Sequence, residues 1–128
     1  MNVYLRVAVA LPAILFIVMG VRWVVAPAGI AAELGMPLLQ GVGLSTQIGD
    51  LGSFFFAGGV LVLIGVITQK RPWFYAPALL LGCTALFRTL AWLLHGATFA
   101  LDMIAVEIIL VCLLLFAASR AAPESSQI

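Results

Sequence analysis

Charge is what this chain has least of. Six Lys and Arg and five Asp and Glu leave its 128 residues only 9% charged, with a single His, where a soluble domain carries about 25%. That is too little to solvate a water-facing surface, and a net charge of +1 excludes the basic footprint of a nucleic-acid binder. Cysteine is almost as scarce. Cys83 and Cys112 sit in the middle of apolar runs, which excludes a disulfide framework and fits small buried hydrophobes. No Ser–His–acid spacing, metal-ligand cluster or phosphate loop occurs, so a non-enzymatic protein without cofactor or metal is expected. No repeat of fixed period is visible, and four short spans leave little room for a transporter's inverted repeats.

What the chain has instead is apolar length. It is 65% hydrophobic with a mean hydropathy of +1.25, and lipid must cover that surface. A membrane-spanning helix needs about 20 apolar residues, and four stretches meet or approach this: residues 3–25, 44–67, 73–94 and 101–118. Arg6 before the first run and Ala26-Pro27-Ala28 after it resemble a signal peptide. The run exceeds the ~7–15 residues of an h-region, however, so a retained helix is expected. The expected architecture is all-α, a single integral membrane domain built as an antiparallel four-helix bundle.

The connections differ in kind. Thr68-Gln69-Lys70-Arg71-Pro72 reads as a tight polar turn, with Pro72 at a first helical position where its missing N–H costs nothing. Gly96 is placed to cap the third span. Between the first two spans, Ile30, Leu34 and Leu38 recur at helical spacing with Glu33 off the stripe. This predicts a short interfacial helix of about two turns, ending near Gly35-Met36-Pro37. The tail Pro123-Glu124-Ser125-Ser126-Gln127 is polar and is expected to fray. With both termini in the cytoplasm, Arg6, Lys70, Arg71 and Arg120 lie inside and only Arg22 outside, beside Glu33 and Asp102. That satisfies the positive-inside bias and suggests a cell inner membrane.

Ionisable groups inside a span are costly and need a reason. Asp50, Arg88 and Glu107 qualify. Each falls about six residues from an outer helix end, roughly 9 Å deep at 1.5 Å per residue, so three helices place a charge at one level. Arg88 can grip a carboxylate with two parallel donors. Two acids against one Arg leave an excess, met either by Arg22 reaching down or by one acid keeping a proton. Thr84, Arg88, Trp92 and His95 form one polar-aromatic stripe on the third span. Gln47 and Phe54 flank Asp50 on the second. Together they could line an outward pocket for a lipid-like or small polar ligand, or lock helix register as polar glue does. His95 reads as an interfacial donor, since no second His or Cys has ligand spacing with it. Ser45, Gly49, Ser53 and Ala57, each four apart, form a small-residue stripe expected to pack inside the bundle rather than against a second copy. Pro12 and Pro77 fall where they could bend the first and third spans.

Several short motifs resemble a known family: the Pro27–Pro37 segment with Leu34-Gly35-Met36-Pro37, Gly58-Gly59, Arg88, His95-Gly96 and Glu107. Over about residues 5–118 the chain resembles the uncharacterised four-helix membrane family called domain of unknown function 4345, related in architecture to the DoxX-like proteins. The resemblance implies a four-helix membrane fold and no activity. Where that family often carries a basic residue near the start of the second helix, this chain has Gly49-Asp50. The leading functional reading is thus a small non-enzymatic membrane protein with an outward polar pocket, surrounded by membrane lipid. The rivals are an accessory subunit of a larger membrane complex or homo-oligomer, and a proton-linked carrier using Asp50 and Glu107.

Overall fold

The structure, a computed structural model, describes residues 1–122; the tail expected to fray lies outside the described residues. The described chain is helical, and the only β-type pairing among these residues is an isolated bridge between Lys70 and Ala122. Helix α1 spans Val3–Val25 and α2 spans Pro27–Glu33. A second long helix begins as α3, Val42–Thr46, widens into a π-helical segment at Gln47–Gly52, and continues as α4, Ser53–Thr68. Helix α5 spans Pro72–His95 and α6 spans Leu101–Arg120. Four stretches, Val3–Val25, Val42–Thr68, Pro72–His95 and Leu101–Arg120, are long and apolar enough to cross a membrane. We therefore describe a multi-pass membrane protein.

Local chemistry explains where the helices start and stop. The Asn2 side chain caps α1 by accepting from Leu5 N–H at 2.8 Å, satisfying one of the free donors at a helix start. Pro27 and Pro72 occupy first-turn positions of α2 and α5. Helix α2 ends in a Schellman motif: Gly35 sits at φ +75°, Gly35 N–H donates to Ala32 O at 3.0 Å and Met36 N–H to Ala31 O at 2.8 Å. Pro12 and Pro77 lie inside α1 and α5, which continue through them. Gly96, at φ +67°, ends α5.

Glycine sets how closely α1 and the second long helix approach. A Cβ on Gly59 would run into the Ala13 carbonyl and lie 2.7 Å from Ile17 Cγ1, and one on Gly20 would lie 2.8 Å from the Gly52 carbonyl. The expected packing stripe is elsewhere. Ser45, Gly49, Ser53 and Ala57 are all exposed, correcting the expectation that they pack inside the bundle. The contact instead uses Gly52, Phe55, Gly59 and Val62, where bare glycine lets backbones touch. The Ser53 hydroxyl is satisfied within its own helix by the Gly49 carbonyl.

Two pairs of helices result, α1 with the second long helix and α5 with α6. They are joined by a core at one end only. Val9 and Ala13, Val62, Phe74 and Leu81, and Leu114 and Ala117 form a cluster drawing on all four long helices. A second cluster of Trp23, Ile30, Ala31 and Phe55 takes its buried residues from α1, α2 and α4 alone. Neither α5 nor α6 contributes a residue to that second cluster, and there the two pairs part.

Candidate ligand-binding cleft

Where the pairs part, a cleft of about 620 Å³ opens. Phe16 and Met19 of α1 and Leu51, Phe54 and Phe55 of the second long helix form one wall. Thr84 and Arg88 of α5 and Asp102, Met103, Val106 and Glu107 of α6 form the other. Leu34 and Met36, turned inward after the Schellman motif, complete the rim. The floor is Phe16, Phe54, Leu81 and Leu110, and these same residues roof a smaller apolar void of about 30 Å³ between Pro12, Pro77 and the Gly58-Gly59 pair. That void has room for about one or two waters, but its apolar lining offers them no partners.

The cleft carries one ion pair. Arg88 Nε donates to both oxygens of Glu107, at 3.0 and 3.1 Å. Glu107 is nearly buried, its side chain 11% exposed, whereas that of Arg88 is 35% exposed. Only Nε is engaged: the two terminal nitrogens make no hydrogen bond among the described residues and are not buried. An apolar cleft therefore presents free guanidinium donors at a fixed height. Beside them Thr84 Oγ1 donates to Leu80 O at 2.8 Å and keeps its own acceptor capacity.

The other residues expected at this level do not converge. Asp50 lies exposed on the π-helical segment and forms no ion pair among the described residues. The expected three-helix charge cluster is thus a two-helix pair of Arg88 and Glu107. Arg22 does not reach toward Glu107; it turns to α2 and pairs with Glu33 at 2.6 Å. Gln47, only 3% exposed, faces the connecting segment, where its Oε1 accepts from Leu39 N–H at 2.9 Å and its Nε2 donates to Pro37 O at 3.0 Å. It clamps the 34–41 segment rather than lining the cleft. Trp92 packs on Phe99 with ring centroids 4.9 Å apart, and His95 is exposed at the last turn of α5. The stripe Thr84–His95 therefore divides, its first half facing the cleft and its second half lying outside it. No group of three His, Cys, Asp or Glu side chains among the described residues could hold a metal.

Neither a family model, nor a curated protein, nor a solved structure aligns with this chain significantly, so the cleft itself is the ground for any functional reading.

Sequence reasoning overlooked two contributions. Met19, Met36 and Met103, three of the four methionines, line the cleft; unbranched thioethers suit surfaces that repack around variable ligands. Asp102, noted only as an acidic charge at the outer end of the fourth span, stands at the cleft's edge in the first turn of α6.

Proposed function

We propose that this protein binds a lipid-like molecule in the cleft between its two helix pairs, without catalysing a reaction on it. The observation that carries the reading is the free end of Arg88: a largely apolar cavity holds a guanidinium whose Nε is fixed by Glu107 while its terminal nitrogens lack partners among the described residues. At 620 Å³ the cleft falls within the roughly 300–1,000 Å³ typical of small-molecule sites. Leu15 and Val106 on its edges are more than half exposed, which supports entry sideways from the bilayer.

In this reading the four spans form an antiparallel bundle with both termini in the cytoplasm of an inner-membrane protein, supported by the positions of Arg6, Lys70, Arg71 and Arg120. The cleft then opens in the outer leaflet and α2 lies in the outer interface as a short interfacial helix, held there by Arg22 and Glu33. A Cys at position 2 that reacts with an impermeant reagent in intact cells would overturn this topology. The likeness to the domain of unknown function 4345 family is kept as a proposal resting on the same motif residues: Gly35 ends α2, Gly58-Gly59 adjoin α1, and Arg88 meets Glu107.

Native mass spectrometry of protein released from its own membrane tests binding. The wild type should carry an amphiphile-sized adduct. Val106→Trp, which fills the cleft from its exposed edge, should lose it, and Leu93→Trp, exposed and outside the cleft, should not. Equal adducts on all three would sink the reading. The accessory-subunit reading is favoured by a different observation, the exposed Ser45–Ala57 stripe with unpaired Asp50 beside it, and would show in the same spectra as a second polypeptide.

A further inference from the structure

We propose that the cleft selects a neutral, single-chain amphiphile whose head carries both an oxygen acceptor and a hydroxyl donor, the chemistry of a monoacylglycerol. This rests on the lipid-binding reading above and names the ligand class. Three observations lead to it.

The first is charge. Among the described residues the one cation lining the cleft, Arg88, is engaged by the Glu107 carboxylate, and Asp102 adds a second carboxylate on the same wall. An anionic head would enter a site whose cation is already matched and whose remaining charge is negative. In a low-dielectric surround that repulsion is poorly screened.

The second is hydrogen-bond type. The free Arg88 nitrogens demand an acceptor, whereas Glu107, Asp102 and Thr84 Oγ1 offer acceptor positions that a hydroxyl can fill. A quaternary ammonium would leave the guanidinium unanswered, and an alkane would leave all of them so. An ester carbonyl beside hydroxyls answers both sides, which matters because polar groups stranded in an apolar site are penalised.

The third is shape. Below Arg88 the cleft narrows onto Phe16, Phe54, Leu81 and Leu110, with only the 30 Å³ void beyond them. Leu81 lies seven residues before Arg88 on α5, about 10 Å lower at 1.5 Å per residue. An apolar depth of about 10 Å takes the upper carbons of one acyl chain, and a cleft of about 620 Å³ is shared by that chain and its head.

The test uses the full chain in phosphatidylglycerol nanodiscs, with native mass spectrometry to count adducts from equal concentrations of 1-lauroylglycerol, dodecanoate, dodecyltrimethylammonium and a two-chained phosphatidylcholine. Wild type should retain lauroylglycerol at least tenfold over each of the others. Glu107→Gln keeps an amide oxygen facing Arg88 Nε but removes the matching charge, so it should shift preference toward dodecanoate by tenfold or more, a gain that misfolding cannot mimic. Wild-type preference for dodecanoate, the ammonium or phosphatidylcholine would overturn the assignment while leaving the cleft a lipid site. An unchanged preference in Glu107→Gln would overturn the role given to the ion pair and the assignment with it. If no probe binds wild type better than Val106→Trp, lipid binding in the cleft itself fails.

Discussion

Replacing Arg88 by Leu removes a guanidinium and leaves the Glu107 carboxylate, 11% exposed, without its cation. At their 3.0 Å separation the gross attraction is about 5 kcal/mol at an effective dielectric near 20, but desolvation of both groups offsets most of it. The pair's net worth is therefore small. Removing one member is another matter, since stranding a buried charge typically costs ~3–5 kcal/mol. Arg88 is a third exposed to the cleft, so water reaches the site and the lower end, about 3 kcal/mol, is expected. Unfolding in mixed micelles, titrated with a denaturing detergent and followed by circular dichroism, reads this directly. Arg88→Leu combined with Glu107→Leu should recover at least half of the loss, because the second change removes the stranded charge. Polar contacts between membrane helices average only ~0.6 kcal/mol in double-mutant cycles. A loss no larger than that for Arg88→Leu, or a double variant as unstable as the single one, would refute the claim that Glu107 depends on Arg88.

Glycine positions should divide sharply: Gly59→Ala, whose Cβ meets the α1 backbone, should cost about 1–3 kcal/mol as overpacking does, while Gly49→Ala, with nothing within 4 Å, should be neutral or slightly stabilising. Ser53→Leu, on the exposed stripe, should leave the isolated chain's unfolding unchanged; destabilisation of the monomer would mean that this face packs internally after all. Gln47→Leu should free Leu39 N–H and the Pro37 carbonyl at about 1–3 kcal/mol, and hydrogen exchange at Leu39 should quicken; unchanged protection would remove Gln47 from its clamping role.

The sequence makes the helices legible for a plain reason: an apolar run must be long enough to cross lipid, and Pro27, Pro72, Gly35 and Gly96 mark its interruptions through constraints on φ that do not depend on tertiary context. Rotation about each helix axis is harder to read. In lipid both faces of a span can be apolar, so hydrophobic periodicity no longer points to the core. Equal depth brought Arg88 and Glu107 together, yet depth says nothing of azimuth, and Asp50, at similar depth, faces away. The π-helical segment at Gln47–Gly52 adds to this: its wider turn breaks the 3.6-residue phase on which the Ser45–Ala57 stripe was placed. The cleft itself was least legible, because it arises from an absence of packing. Only the positions of the two cores reveal that the α5–α6 pair parts from the other pair at one end.

Methionine methyl groups offer the most direct test of lipid binding between the helix pairs. Met19, Met36 and Met103 line the cleft, whereas Met1 packs against the core at the opposite end. With the protein carrying ¹³C-methyl methionine in phospholipid nanodiscs, titration with 1-lauroylglycerol should shift the three cleft signals with one shared binding curve and leave Met1 in place. Three unmoved cleft signals, or a Met1 signal that moves with them, would contradict binding in the cleft.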